Sequence, residues 1–152
     1  MGTESGKVKV VLVEDNPCDV FLVKLALEEN GLGVEMINYR NGDDAIAELC
    51  PAAGRPSQPV PDVILLDLNT PRGDGFEVLA RIRSDLRLAD VPVAIVTSSA
   101  SPADRRRAEL LGATTYIRKP SALADFIEAI GNGVKSMLGL KMPVIRTAGT
   151  PI

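Results

Sequence analysis

The 152-residue chain contains no histidine. That absence removes Ser-His-Asp triads, HExxH zinc sites and every imidazole general base. It also means that the chain can be neither a histidine kinase nor a histidine phosphotransfer module. Cysteine is nearly absent as well: Cys18 and Cys50 stand far apart without CxxC spacing, as expected of two reduced thiols outside any disulfide or zinc framework. Aromatic residues make up 3% of the chain, too few to frame a flavin. No apolar run approaches the roughly 20 residues that span a bilayer. The N-terminus lacks the charged-then-apolar layout of a secretory signal, so the chain is read as cytoplasmic with no membrane partner. The formal charge of −3 argues against a nucleic-acid partner held by phosphate contacts. The one basic cluster, Arg105-Arg106-Arg107, reads as a solvated helix face.

What is present alternates between short aliphatic runs and longer amphipathic ones. Val8–Val13 is rich in β-branched residues and reads as a buried strand. Asn16-Pro17 supplies a helix cap and a first-turn proline, and Asn30-Gly31 a left-handed stop. A strand over about 34–39 and a helix over about 42–49 follow. The Pro, Ala, Gly and Ser-rich stretch 51–61 is a loop. Val63-Ile64-Leu65-Leu66 has the unbroken apolar character of a central strand covered on both faces. Further helices are expected over about 75–84, from Ser101-Pro102 to near Gly112, and over about 121–138. Strands are expected at about 93–96 and 114–118. Five β-α units in series predict an α/β fold: a doubly wound (βα)5 parallel sheet with helices on both faces. One domain over residues 7–138 results, with a flexible stretch at 1–6 and a mobile tail at 139–152.

The chemistry gathers at strand ends. Glu14-Asp15 ends the first strand, Asp67 the third and Thr97 the fourth, while the fifth runs into Lys119-Pro120. Ligands of doubly wound sheets bind beyond the carboxyl ends of the strands, where strand order reverses. With the flavodoxin-like strand order 2-1-3-4-5, the first and third strands are neighbours, and Glu14, Asp15 and Asp67 converge on one crevice. Three carboxylates packed together resist ionisation unless a cation joins them. Magnesium, a hard ion that takes one or two carboxylates plus waters and phosphate oxygens, suits the set. Asp67 is then a nucleophile able to form an acyl phosphate. Lys119 can make a point contact with a phosphate oxygen and Thr97 can donate its hydroxyl to another.

Taken together, these motifs resemble the response-regulator receiver family over about residues 7–138. The resemblance rests on Val11-Leu12-Val13-Glu14-Asp15-Asn16, Leu65-Leu66-Asp67-Leu68-Asn69-Thr70-Pro71 with Asp74-Gly75, Val96-Thr97-Ser98, and Tyr116-Ile117-Arg118-Lys119-Pro120. It implies a phosphoacceptor switch, without enzyme activity in the ordinary sense, that takes its phosphoryl group from a sensor histidine kinase onto Asp67. Asp15, Asp67 and the Asn69 backbone carbonyl are the implied magnesium ligands, with Glu14 acting through a water. A cis Lys119–Pro120 bond is implied too, as is a switch in which Thr97 swings toward the phosphate and Tyr116 turns inward.

Glu14-Asp15-Asn16-Pro17-Cys18-Asp19-Val20-Phe21-Leu22 and Asp67-Leu68-Asn69-Thr70-Pro71-Arg72 narrow the resemblance to phytochrome-partnered single-domain response regulators. These imply a bacterial phytochrome as kinase and a homodimer through the helix 4–strand 5–helix 5 face. Thr70 departs from the Leu or Met usual there. A dehalogenase-like phosphatase would need an acid where Asn69 stands, and a flavodoxin a hydroxyl-rich loop where Glu14-Asp15 stand. A pseudo-receiver that binds partners without phosphorylation is the alternative the residues leave open.

Overall fold

The computed structural model describes residues 7–52 and 59–141. The expected N-terminal stretch 1–6 and most of the expected tail lie outside them. Among the described residues ten elements alternate strand and helix: β1 (Val8–Val13), α1 (Pro17–Glu29), β2 (Val34–Tyr39), α2 (Gly42–Leu49), β3 (Val63–Leu66), α3 (Gly75–Ser84), β4 (Val93–Thr97), α4 (Pro102–Leu110), β5 (Thr115–Arg118) and α5 (Leu123–Lys141). The five strands form one parallel sheet in the order β2-β1-β3-β4-β5. The expected fold is the observed one. The largest boundary differences are at α5, which begins two residues later than expected, at Leu123, and continues to Lys141, where a tail was expected from 139.

Alternation along the strands builds two cores. Val11, Val13, Ile64, Leu66, Val93 and Ile95 face α2, α3 and α4, where they meet Leu49, Leu79 and Ile82. Their sequence neighbours Val10, Leu12, Val63, Leu65, Ala94 and Val96 face α1 and α5, meeting Leu27, Ile130 and Met137. Successive side chains on a strand point to opposite faces, so an unbroken apolar run serves both layers at once. Every residue of β3 and β4 is buried.

Helix starts are fixed by side-chain caps, two of them, at Asn16 and Ser101, where the sequence placed a helix opening. The Asn16 side chain accepts from Cys18 N and Asp19 N, Asn41 from Asp44 N, Asp74 from Glu77 N and Ser101 from Asp104 N. Pro17 and Pro102 occupy the first turns of α1 and α4, where no backbone donor is needed. Gly42 has a different task. A Cβ there would stand 2.1 Å from the Gly73 carbonyl oxygen, so only glycine lets the start of α2 lie against the turn that follows the third strand. That turn is further tied by Asp43 N donating to the Arg72 carbonyl at 2.8 Å.

Candidate functional site

The parallel ladder runs one residue past β1, β3 and β5 and carries the polar residues with it. Glu14 N donates to Tyr39 O at 3.0 Å, Asp67 N to Val13 O at 3.0 Å, and Lys119 N to Thr97 O at 2.7 Å. The side chains at the carboxyl edge of β1, β3, β4 and β5 are therefore aimed by backbone bonds to neighbouring strands, and their spacing is that of the sheet.

At the centre of the site is the Lys119 ammonium. It donates to Glu14 Oε1 at 2.8 Å, to Asp19 Oδ2 at 2.8 Å and to Asp67 Oδ2 at 3.0 Å, using all three of its protons. Lys119, Glu14 and Asp67 are nearly enclosed, with side chains 12%, 4% and 9% exposed. The second oxygens of the two buried carboxylates are also engaged: Glu14 Oε2 accepts from Asn16 N and Asp67 Oδ1 from Asn69 N, each at 3.1 Å.

Burial pushes the Glu14 carboxyl from 4.5 up to about 7; the hydrogen bond from Lys119 opposes that rise and the charge of Asp67 adds to it. Burial alone would lower the Lys119 ammonium. The hydrogen bonds to Asp19 and Glu14 and the charge of Asp67 outweigh it and hold the group above the ordinary lysine range.

Four of the six side chains predicted for the site stand around this point. Glu14, Asp67 and Lys119 are in contact. Thr97 is fully buried, and its Oγ1 accepts from Asn69 Nδ2 at 3.4 Å and from Ser99 N at 3.3 Å. Asp15 is half-buried and lines an open polar cleft of about 560 Å³ with Asn38, Arg40 and Arg72, a cleft that Glu14, Asp19 and Asp67 do not line. Tyr116 lies further out, half-buried on β5, with its hydroxyl donating to the Ser99 carbonyl at 3.2 Å. Thr70, where the sequence departs from the family pattern, is buried and donates to Gly73 O at 3.3 Å, bracing the turn behind the acceptor.

Two findings depart from the sequence reading. The Lys119–Pro120 bond, expected cis, is trans; no cis peptide bond occurs among the described residues. Trans is the lower-energy isomer even before proline, and Lys119 reaches its three carboxylates from it. The second departure is Asp19, to which the sequence reading assigns no role at the site. It reaches Lys119 from the first turn of α1. A signal was available: an acid three residues after the Asn16 cap sits at the helix start, on the side of the chain from which β1 has just emerged.

The donor set can be tested against magnesium. Among the described residues no three acidic, cysteine or histidine side chains form a finished cage. Two buried carboxylates lie within 3.0 Å of one nitrogen, Asp15 stands next to Glu14 in the chain, and the surroundings supply oxygen rather than sulfur or imidazole. Magnesium takes few carboxylates and completes its shell with carbonyls, water and phosphate, so the residues fit it.

Comparison with known proteins agrees with this geometry. Residues 10–131 match the model of the response regulator receiver domain. The chain belongs to that family. It is 36% identical over 137 residues to response regulator Rcp1 of Synechocystis sp. (strain ATCC 27184 / PCC 6803 / Kazusa), an alignment covering 90% of this chain and 92% of Rcp1. Among solved structures, the phosphorylated cyanobacterial phytochrome response regulator RcpA superposes with a TM-score of 0.76 at 33% identity, covering 88% of this chain and 96% of that one. The Mn(2+)-bound form of response regulator Rcp1 superposes with a TM-score of 0.72 at 32% identity, covering 95% and 99%.

Proposed function

We propose that this chain is a phosphoacceptor switch that takes a phosphoryl group on Asp67 from a sensor histidine kinase in a magnesium-dependent reaction. The observation that carries the reading is the Lys119 ammonium shared between Asp67 and Glu14 at the carboxyl edge of the sheet. An oxygen of Asp67 attacks phosphorus, and the bond from phosphorus to the donor breaks with its electron pair leaving on the donor, a histidine nitrogen or a carboxylate oxygen. Lys119 and the Thr97 hydroxyl then bond to phosphoryl oxygens, positions for which their reach from β5 and β4 suits them. Asp15, Asp67 and the Asn69 carbonyl would hold the metal, with Glu14 acting through a water, and the ion would supply charge to neutralise the incoming phosphoryl oxygens. The sequence and fold likeness to Rcp1 and RcpA supports a phytochrome as the kinase.

The signalling surface in this reading is the α4-β5-α5 face, which carries Leu110, 78% exposed, and Tyr116. A second copy of the chain is its proposed partner. Light scattering with and without beryllofluoride tests that point, and a monomer in both states removes it. The primary test is intact mass with acetyl phosphate, with and without magnesium, beside Asp67→Ala. One added phosphoryl group that requires both magnesium and Asp67 supports the switch. No added mass, together with no beryllofluoride complex, favours a phosphorylation-independent binding module.

A further inference from the structure

We propose that Asp19 is a positioning residue for phosphoryl transfer at Asp67, acting by holding the Lys119 ammonium in place; this rests on the reading of Asp67 as the acceptor. The ammonium has three protons and three carboxylate partners, at 2.8, 2.8 and 3.0 Å. Two of those partners change their bonding in the reaction. Asp67 becomes an acyl phosphate, a mixed anhydride, and Glu14 would be drawn toward a bound metal. Asp19 belongs to neither the acceptor nor the metal set, so it is the partner that remains.

The need for a fixed partner follows from the side chain itself. Lysine is a point charge on a flexible four-carbon stem, and holding it in one rotamer costs entropy. Displacement of a reacting or stabilising group by even ~1 Å is expensive in rate. Asp19 is well suited to hold it because its own backbone is fixed. Asn16 Oδ1 accepts from Asp19 N at 3.2 Å and from Cys18 N at 2.8 Å, Pro17 opens the helix, and α1 is seated on the sheet by Val23, Ala26 and Leu27. A carboxylate is favoured at a helix start by the positive end of the helix dipole. The Asp19 side chain is 25% exposed against 4% for Glu14 and 9% for Asp67, so it reaches Lys119 from the rim of the site.

During transfer from acetyl phosphate, Asp67 Oδ attacks phosphorus, the bridging P–O bond breaks, and acetate leaves with the electron pair. No proton is consumed. The Lys119 proton that now bonds Asp67 Oδ2 turns to a phosphoryl oxygen, while the bond to Asp19 stays.

The test is the rate of acyl-phosphate formation from acetyl phosphate at saturating magnesium, followed by intact mass, for Asp19→Ala, Asp19→Glu, Lys119→Ala and the double variant Asp19→Ala/Lys119→Ala. Circular dichroism melting confirms that each is folded. Loss of a hydrogen bond to a charged group predicts about a tenfold slower rate for Asp19→Ala. Asp19→Glu should recover most of it. In the Lys119→Ala background the same substitution should change the rate by less than about twofold, because a residue acting only through Lys119 has nothing left to hold. An unchanged or faster Asp19→Ala rate overturns the proposal, as does an equal loss in both backgrounds. No phosphoryl transfer to the folded wild-type chain overturns the underlying reading instead, and this proposal with it.

Discussion

The Tyr116 hydroxyl donates to the Ser99 carbonyl at 3.2 Å, which ties β5 to the loop that leads from β4 into α4. Ser99 is joined on its other sides as well: its N–H donates to Thr97 Oγ1 at 3.3 Å, and its hydroxyl to Asp104 Oδ2 at 2.7 Å in the first turn of α4. The Arg105 guanidinium covers the Tyr116 ring at 5.2 Å from its centroid. A movement of the Thr97 hydroxyl toward a phosphoryl group therefore removes one of the bonds that hold Ser99, and with it the partner of Tyr116.

The first prediction concerns that chain of contacts. The protein has two tyrosines, Tyr39 and Tyr116, so 3-fluorotyrosine labelling yields a two-line fluorine spectrum. With magnesium and beryllofluoride the Tyr116 resonance should shift, and Thr97→Ala should suppress the shift. A formed complex that leaves the Tyr116 line in place would show that Tyr116 is strand packing only.

A second prediction follows from the crowding of charge at Lys119. The ammonium competes with any metal for Glu14 and Asp67, at 2.8 and 3.0 Å. Removing it in Lys119→Met should tighten magnesium binding by about tenfold, the scale expected for one unit charge a few Å away in a partly buried site. Titration calorimetry checks this, and weaker binding by the variant would refute it.

Glu14 sets a pH dependence. In metal-free protein its carboxyl is raised from 4.5 to about 7, so the folded state binds the proton more tightly than the unfolded chain. Stability linked to this group is fully present below pH 4.5 and is lost as pH rises through about 7. Wild type should therefore lose about 2 kcal/mol relative to Glu14→Gln between pH 5 and pH 8. Urea unfolding in EDTA at the two pH values measures it; a constant difference between the proteins contradicts it.

Gly42 tests the seat of the acceptor loop. A Cβ at this position would meet the Gly73 carbonyl oxygen at 2.1 Å and the Gly73 carbonyl carbon at 2.7 Å, both backbone atoms that cannot rotate away. Gly42→Ala should cost about 2 kcal/mol through overpacking, read from the urea midpoint. An unchanged midpoint would mean that α2 and the turn after β3 separate freely.

Much of the molecule was legible in the chain because it depends on local chemistry. Strands announced themselves by aliphatic runs such as Val63–Leu66, and helix starts by pairs such as Asn16-Pro17 and Ser101-Pro102, whose cap bonds span three residues or fewer. Placing Glu14, Asp67, Thr97 and Lys119 at strand ends was enough to bring them together, since a parallel sheet aligns its carboxyl edges. The contacts between side chains were decided only by the tertiary structure. Asp19 meets Lys119 across 100 residues of sequence, because α1 leaves β1 at the angle that its packing on the sheet and α5 requires. Glu14 pairs with Lys119 while Asp15 beside it lines the cleft formed with Asn38 and Arg72, residues that only the fold brings alongside. The Lys119–Pro120 bond was likewise open in the sequence, since proline permits either isomer at small cost, and the structure has it trans.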